Sequence, residues 1–101
     1  MNKREKLVLN IKKRKLCITW YDITKNIDLT KKEVMLLALL SNNNYTTLED
    51  IASFIYEIKS YSDSFDNMIR VLVYRLRKKG LDIETRYHDG YILRDDIFID
   101  Y

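Results

Sequence analysis

The chain of 101 residues is 47% hydrophobic and 33% charged, and its net charge is +3. This composition excludes a disordered chain and indicates one folded, soluble domain over residues 1–101. No apolar run reaches the roughly 18 residues of a membrane-spanning helix, and no apolar signal-peptide segment follows the basic N-terminus. Cys17 is the only cysteine. An intrachain disulfide and a cysteine zinc cluster are therefore excluded, and a reducing, cytoplasmic location is expected.

Positive charge is concentrated in two segments of the chain. Residues 1–16 contain seven Lys or Arg residues against Glu5, and residues 65–79 contain five against Asp66. The rest of the chain must then be net negative. The distribution of charge therefore says more about possible partners than the net charge does. Such clusters indicate an anionic partner. For the N-terminal cluster alone, an ordinary solvated surface explains the charge equally well.

A small antiparallel sheet is predicted at about residues 7–29, where apolar and polar residues alternate. Its first two strands are separated by a basic turn at residues 12–15, and their apolar positions are Leu7, Leu9, Ile11, Leu16, Ile18 and Trp20. A third strand is predicted after Ile23, with a turn at Lys25–Asn26. Cys17 falls within this pattern and is expected to be a small buried hydrophobe.

Three helices are predicted at about residues 30–79. The first begins at Thr30, because Thr30 and Glu33 have the spacing of a capping box. It ends at an asparagine-rich stretch, since asparagine side chains compete for backbone hydrogen bonds and tolerate left-handed geometry. The second helix begins near Thr46–Thr47 and is followed by a polar, aromatic loop at Tyr56–Ser64.

The third helix, at about residues 65–79, has two contrasting faces, and Gly80 suits its C-terminal cap. Its predicted buried stripe consists of Ile69, Leu72, Val73 and Leu76. Its opposite face consists of Asn67, Arg70, Val71, Tyr74, Arg75, Arg77 and Lys78. Such a helix can enter the major groove of DNA, because one face anchors to a core while the other is free and basic. A solvated amphipathic helix is the alternative explanation.

A β-hairpin is predicted directly after this helix, at about residues 82–93. Ile83 is expected to anchor the hairpin to the core, so that Arg86 lies on the solvent-facing side. Gly90 is expected to supply the positive φ angle of the turn. The acidic tail at residues 94–101 keeps a residual alternation that favours one more strand.

The residue patterns of catalysis and metal binding are missing from the sequence. His88 is the only histidine, and a histidine beside a turn glycine is more often an exposed loop residue than a catalytic base. With Gly80 and Gly90 as the only glycines, no phosphate-binding glycine loop can form. Asp95 and Asp96 would face opposite sides of a strand. We therefore predict no enzyme activity, no catalytic residue, no metal and no cofactor.

The order of elements, with the basic helix last and a hairpin after it, is that of a winged helix-turn-helix. The segments LTKKEVMLLALL, TTLEDIASFIY, NMIRVLVYRLRKKG and IETRYHDGYIL resemble, in that order, the OmpR/PhoB-type effector domain of bacterial response regulators. The match spans about Leu7–Leu93 and includes the basic end Leu76–Lys78 and the pair Gly90–Tyr91. It implies an α+β winged-helix domain with a small N-terminal antiparallel sheet, three helices and a C-terminal hairpin wing.

The resemblance also implies a function, namely sequence-specific binding of double-stranded DNA by a bacterial transcription regulator of a two-component system. The recognition helix would lie in the major groove with the wing alongside. Two copies would bind in tandem to a direct repeat, and the loop at Tyr56–Ser64 would face RNA polymerase. The chain departs from the family at Arg70, where the family usually has an acidic residue. It also departs in the wing, where Arg86 lies one position before the usual basic residue of the family.

Individual roles are assigned to the polar face of the third helix. Arg70 and Arg75 are expected to read base edges, because arginine pairs bidentately with guanine, and Val71 is expected to touch a thymine methyl group. Asn67 lies on the same face. Phosphate contacts are expected from Tyr74, Arg77 and Lys78.

The wing offers a weaker DNA-binding surface than the helix. Arg86 is expected to contact DNA and Tyr87 to support it. Glu84 and Asp89 oppose Arg86, so the hairpin has no net positive charge. This weak wing and the acidic tail motivate an alternative function, a protein-interaction module on the same fold that has lost DNA binding.

Overall fold

The chain begins with the sheet that the alternating pattern predicts. The computed structural model describes residues 6–57, 64–87 and 89–101. Its first strands are antiparallel neighbours: β1 (Lys6–Asn10), β2 (Lys15–Trp20) and β3 (Ile23–Asp28). Buried side chains alternate with outward ones in the first two strands, as strand geometry requires, and they are Leu7, Leu9, Leu16 and Ile18.

Two details of this sheet differ from the predictions. The turn predicted at Lys25–Asn26 is wrong, because these residues lie within β3 and pair with Ile18 and Cys17, respectively. The chain turns at Tyr21–Asp22 instead. β3 is an exposed edge strand. Its extended conformation is set by hydrogen bonding to β2, and polar residues are tolerated because both faces are open to solvent. Cys17 is half-buried rather than buried, because it lies on the outward side of β2.

Helices follow the sheet, and those of the described residues are α1 (Lys31–Leu40), α2 (Leu48–Tyr56) and α3 (Ser64–Lys78). The predicted capping box of α1 is confirmed. The Thr30 backbone N–H donates to Glu33 Oε1 at 2.8 Å, and the Glu33 N–H donates to Thr30 Oγ1 at 3.2 Å. α2 begins after Thr47, whose hydroxyl oxygen accepts from the Asp50 N–H at 3.1 Å.

An ion pair joins the start of α1 to the end of α3. The Glu33 side chain is fully buried, and Lys79 Nζ donates to its Oε1 at 2.8 Å. Burial acts to raise the pKa of Glu33, but hydrogen bonds from Lys79 and Thr30 outweigh it and hold this pKa below its ordinary value. Glu33 therefore stays charged and fixes the C-terminal end of α3. Gly80 ends that helix with a φ angle of 106°, as its predicted cap role requires.

The predicted hairpin is present after α3, and it pairs with a further short strand. The strands are β4 (Thr46–Thr47), β5 (Ile83–Arg86) and β6 (Gly90–Leu93), in the order β4-β6-β5. The sequence does not predict β4, because two residues cannot display an alternating pattern. This pairing places the hairpin against the start of α2.

Gly90 has a different role from the predicted one. Its φ angle is not positive, and among the described residues of the turn Tyr87 is left-handed, with a φ angle of 55°. Gly90 is needed for close approach instead. A Cβ atom there would lie 2.5 Å from the Thr46 carbonyl oxygen and 2.6 Å from Tyr45 Cε1. The prediction is wrong because the contact with β4 is not visible in the sequence.

The acidic tail returns to the N-terminal sheet. The strand that its alternation favours is confirmed as β7 (Phe98–Asp100), which pairs in parallel with β1 and gives the order β3-β2-β1-β7. The sheet is therefore mixed rather than purely antiparallel as predicted. Alternation along a strand reveals its inward face but not the direction of its partner.

These elements form the predicted α+β winged helix-turn-helix, with the helices between the N-terminal sheet and the hairpin. Residues 58–63, which make up most of the predicted Tyr56–Ser64 loop, lie outside the described residues, and so does His88. Among the residues described, no helix has both the length and the apolar character needed to cross a membrane.

Candidate nucleic-acid interface

α3 is anchored by one face and presents the other to solvent. Its buried residues are Ile69, Leu72, Val73 and Leu76, each at most 4% exposed, which confirms the predicted stripe. At roughly 3.6 residues per turn, the directly opposite side consists of Asn67, Val71, Tyr74 and Lys78, all of them exposed. Val71 and Tyr74 keep 46% and 59% of their surface exposed, so the fold leaves this apolar surface uncovered.

Arg75 and Lys78 supply positive charge on the solvent side of α3. Lys78 Nζ lies 5.6 Å from the centre of the Tyr74 ring. Arg75 lies near Tyr56, where burial raises the pKa of the Tyr56 hydroxyl and the charge of Arg75 acts against that rise. Within residues 6–57, 64–87 and 89–101, neither Arg75 nor Lys78 forms an ion pair. Both cations are therefore available to an anionic ligand.

Arg70 lies on the opposite flank of the same helix and is paired within it. Its Nε donates to Asp66 Oδ1 at 3.0 Å, and its Nη2 donates to Asp66 Oδ2 at 3.4 Å. An exposed pair one helical turn apart stabilises a helix by only a few tenths of a kcal/mol. The bond to Asp66 therefore holds the Arg70 side chain only weakly.

Arg77 is directed to the hairpin rather than away from the protein. Its Nε donates to the Ile83 carbonyl oxygen at 2.8 Å, and its Nη2 donates to Thr85 Oγ1 at 3.1 Å. The guanidinium carbon also lies 5.9 Å from the centre of the Tyr91 ring. These contacts join the last turn of α3 to β5 and β6. Arg77 is thus placed differently from its neighbour Lys78.

Arg86 lies on the same side of the hairpin as Glu84, as predicted, and is paired with it. Arg86 Nε donates to Glu84 Oε2 at 2.8 Å, and Arg94 Nη1 lies 3.4 Å from Glu84 Oε1. The hydrogen bond with Arg86 lowers the pKa of Glu84, and the same bond raises the pKa of Arg86. Glu84 is therefore shared between two guanidinium groups, those of Arg86 and Arg94.

Tyr87 is exposed, with 76% of its surface accessible. Its ring packs on Tyr45, a residue that the sequence analysis does not single out. The Tyr45 hydroxyl donates a hydrogen bond to Asp89, and this bond is the main reason that the pKa of Tyr45 rises to about 12. No local sequence pattern connects Tyr45 with the hairpin, because the two meet only through the pairing of β4 with β6.

The predicted residues thus fall into two groups. Most of those in α3 lie on its exposed surface, whereas Arg77 contacts the hairpin and Arg86 is paired with Glu84. In the described part of the chain, no group of His, Cys, Asp and Glu side chains is arranged to hold a metal ion. The surface is suited to binding an extended anionic ligand through a helix.

Comparison with known proteins gives one family for most of the chain. The family model described as "Transcriptional regulatory protein, C terminal" matches residues 24–93. A search of curated proteins by sequence finds no match.

Two crystal structures share the fold. The DNA-binding domain of Bacillus subtilis CssR is 30% identical to this chain, with a TM-score of 0.64, and the match covers 79% of this chain and 90% of that domain. The DNA-binding domain of the response regulator AdeR, solved in complex with an intercistronic region, is 13% identical, with a TM-score of 0.64. That match covers 94% of this chain and 97% of the AdeR chain, and at this identity it concerns the fold alone. Together with the winged-helix architecture, the family match shows that the chain belongs to the transcriptional regulatory protein C-terminal family, the OmpR/PhoB-type DNA-binding domains of response regulators.

Proposed function

We propose that residues 1–101 act as one domain that binds double-stranded DNA in a sequence-specific manner, as the DNA-binding part of a bacterial transcription regulator. The observation that carries this proposal is the exposed, uncovered face of α3 around Val71, Tyr74 and Lys78. The major groove of B-DNA admits an α-helix, and a helix packed on its opposite face is held rigidly enough to read base edges. The hairpin would lie alongside.

Arg75 is the strongest candidate for reading a base edge. It is exposed and has no ion-pair partner within the described residues, so it is available to pair bidentately with guanine. Val71 would contact a thymine methyl group, and Asn67 lies one turn earlier on the same side. Arg70 would read a base after leaving Asp66. Phosphates would be bound by Tyr74 and Lys78, which set the register of the helix.

Arg77 and Arg86 have other partners that compete with DNA. The bonds of Arg77 to Ile83 and Thr85 favour a role in fixing the hairpin on α3 over the phosphate contact expected from the sequence. Arg86 would contact DNA only weakly, because the carboxylate of Glu84 beside it repels phosphate.

The wider setting is also a proposal and follows from family membership. Two copies would bind in tandem on a direct repeat, and the segment at residues 56–64 would face RNA polymerase. A regulator of this kind acts in the bacterial cytoplasm, where the DNA is, as the output of a two-component system. We expect no catalytic activity of its own.

A protein-interaction module is the second candidate function, favoured by the pairing of Arg86 and Arg94 with Glu84. Titration of a duplex selected from a random pool, at about 50 and 200 mM salt, distinguishes the two. DNA binding through two or more phosphates predicts a log–log salt slope of about −2 or steeper, since counterions are released. Binding that is absent, or independent of salt, would support the protein-interaction module.

A further inference from the structure

Tyr45, directly before β4, makes contacts that the proposed DNA-binding residues do not explain. Its ring meets the ring of Tyr87 edge-on, with the centroids 5.6 Å apart and the planes at 81°. Its hydroxyl donates a hydrogen bond to Asp89. Its Cε1 atom would lie only 2.6 Å from a Cβ atom at Gly90, so the ring rests against the backbone of the hairpin. Tyr45 therefore contacts both sides of the hairpin turn.

The same turn is fastened to the start of α2. The Leu48 N–H donates to the Asp89 carbonyl oxygen at 2.8 Å, and Thr47 pairs with Gly90. The hairpin thereby satisfies an N–H group at the start of α2, where the helix itself supplies no acceptor. Asp89 and Gly90 are thereby fixed relative to the helices, and the Tyr87 ring packs on Tyr45 beside them.

We propose that Tyr45 is a positioning residue for DNA recognition, which holds the ring of Tyr87 against the deoxyribose edge of the duplex. This inference rests on the proposed DNA-binding function. The Tyr87 ring packs against the Tyr45 ring yet keeps 76% of its surface exposed, so most of it is open to a ligand. An aromatic ring can pack on the apolar part of a deoxyribose through van der Waals contact, without needing a charge. The wing therefore contacts DNA through a supported ring, while Arg86 stays with Glu84.

The test is a double-mutant cycle on a duplex selected by the wild-type protein. Tyr87→Ala should weaken binding by roughly 2- to 10-fold, the range expected from an aromatic contact. Tyr45→Ala should cause a similar loss, and the double variant should lose no more than Tyr87→Ala alone, because Tyr45 acts through Tyr87. Tyr45→Phe keeps the ring and should bind within about twofold of wild type. Additive losses, or equal losses for Tyr45→Phe and Tyr45→Ala, would overturn the proposal.

A second readout separates positioning from a loss of folding. Hydroxyl-radical footprinting reports the exposure of individual sugars, and the protection at the wing should disappear in both alanine variants while the protection along α3 remains. A uniform weakening of all protections would mean that Tyr45 only stabilises the fold, and would overturn the inference. If Tyr45→Ala does not fold, Tyr45→Leu replaces it, because leucine keeps apolar volume without an aromatic edge.

The same experiments test DNA binding separately from the positioning role of Tyr45. Salt-dependent binding by the wild type and a flatter salt slope for Lys78→Ala test DNA binding itself. If both are observed while Tyr45 and Tyr87 are uncoupled, only the positioning role fails. If the wild type binds no duplex, the DNA-binding function fails first and the positioning role with it.

Discussion

In α3, the outward Arg75 and Lys78 have no carboxylate partner among the described residues, whereas in the hairpin Arg86 is paired with the exposed Glu84. The two elements follow one another in the chain, and each contains arginine. Their available charge differs because the hairpin brings an acid beside its arginine. We infer that α3 supplies most of the electrostatic attraction to DNA, and that the wing acts mainly through its shape.

The contrast between α3 and the hairpin depends on the anchoring of α3 in the core. A substitution in its buried face should have the largest effect. Leu76 is fully buried in the face of α3 that contacts the core. Leu76→Ala should lower the free energy of unfolding by ~2–5 kcal/mol, because it leaves a cavity. Urea denaturation measures this loss. Unchanged stability together with lost DNA binding would mean that the helix is rotated and that Leu76 faces the duplex.

The buried ion pair at the end of α3 should make the stability of the protein more sensitive to acid than the exposed ion pair of the hairpin does. Burial opposes ionisation, yet Lys79 and Thr30 hold the pKa of Glu33 below its ordinary value of about 4.3. Glu33 therefore stabilises the native protein above that pH, and this contribution is lost as the pH falls through the lower native pKa. Urea denaturation at several pH values between about 2 and 5 should show a weaker pH dependence for Glu33→Gln.

The matched control is Glu84→Gln, which removes the exposed carboxylate of the hairpin pair. Because water screens an exposed pair, this variant should change the pH dependence of stability less than Glu33→Gln does. If the two variants behave alike, the burial of the Glu33–Lys79 pair does not contribute to acid sensitivity.

Within α3, Arg75 tests whether the cations without a carboxylate partner among the described residues read sequence. Arg75→Ala should weaken binding to a selected duplex by ~1–3 kcal/mol and binding to a random duplex by less, since a bidentate contact with one base would be lost. Lys25→Ala in β3 removes the same charge from the N-terminal sheet and serves as the control. Equal losses on both duplexes would assign Arg75 to a phosphate.

Arg77 and Lys78 are adjacent, and the comparison predicts that they behave differently. Lys78→Ala should weaken binding to every duplex alike and make the salt slope shallower by about one unit, because one phosphate contact is lost. Arg77→Ala should leave the slope unchanged and lower the melting temperature, since Arg77 bonds to Ile83 and Thr85. A shallower slope for Arg77→Ala would restore its phosphate role.

The smallest change in DNA affinity is expected from removing the acidic partner of Arg86 in the wing. Glu84→Gln removes the carboxylate that pairs with Arg86 and Arg94. Binding at low salt should tighten by less than about threefold, because the pair is exposed and already weak in water. Titration at low and high salt measures the change, and Arg86→Ala should differ little from wild type. A large loss for Arg86→Ala would show that the wing depends on its arginine after all.

Local features of the fold can be predicted well from this sequence. The capping box of Thr30 and Glu33, the buried stripe that includes Leu76, and the glycine cap at Gly80 all depend on residues close together in the chain. In each case a short-range rule of helix geometry decides the outcome. The faces of α3 follow from the same periodicity.

Features that depend on contacts between distant segments could not be predicted. β4 is only two residues long and is defined by its pairing with β6. The role of Gly90 depends on Tyr45, which is far from it in the chain. The partners of Arg77 are likewise set by how the hairpin packs on α3. The sequence shows which residues are basic, but only the tertiary structure shows which of them already have a partner.

The pairing of β7 with β1 also affects the order of folding and the tendency of the chain to aggregate. β7 covers the outer edge of β1 through Val8, Leu9 and Asn10, and it joins the two ends of the described chain. Contacts over such a separation carry a large loop-closure cost and tend to form late. Until then β1 presents an unpaired edge that another copy can use for strand pairing. Removing the tail strand should therefore promote self-association during expression, beyond any loss of thermodynamic stability.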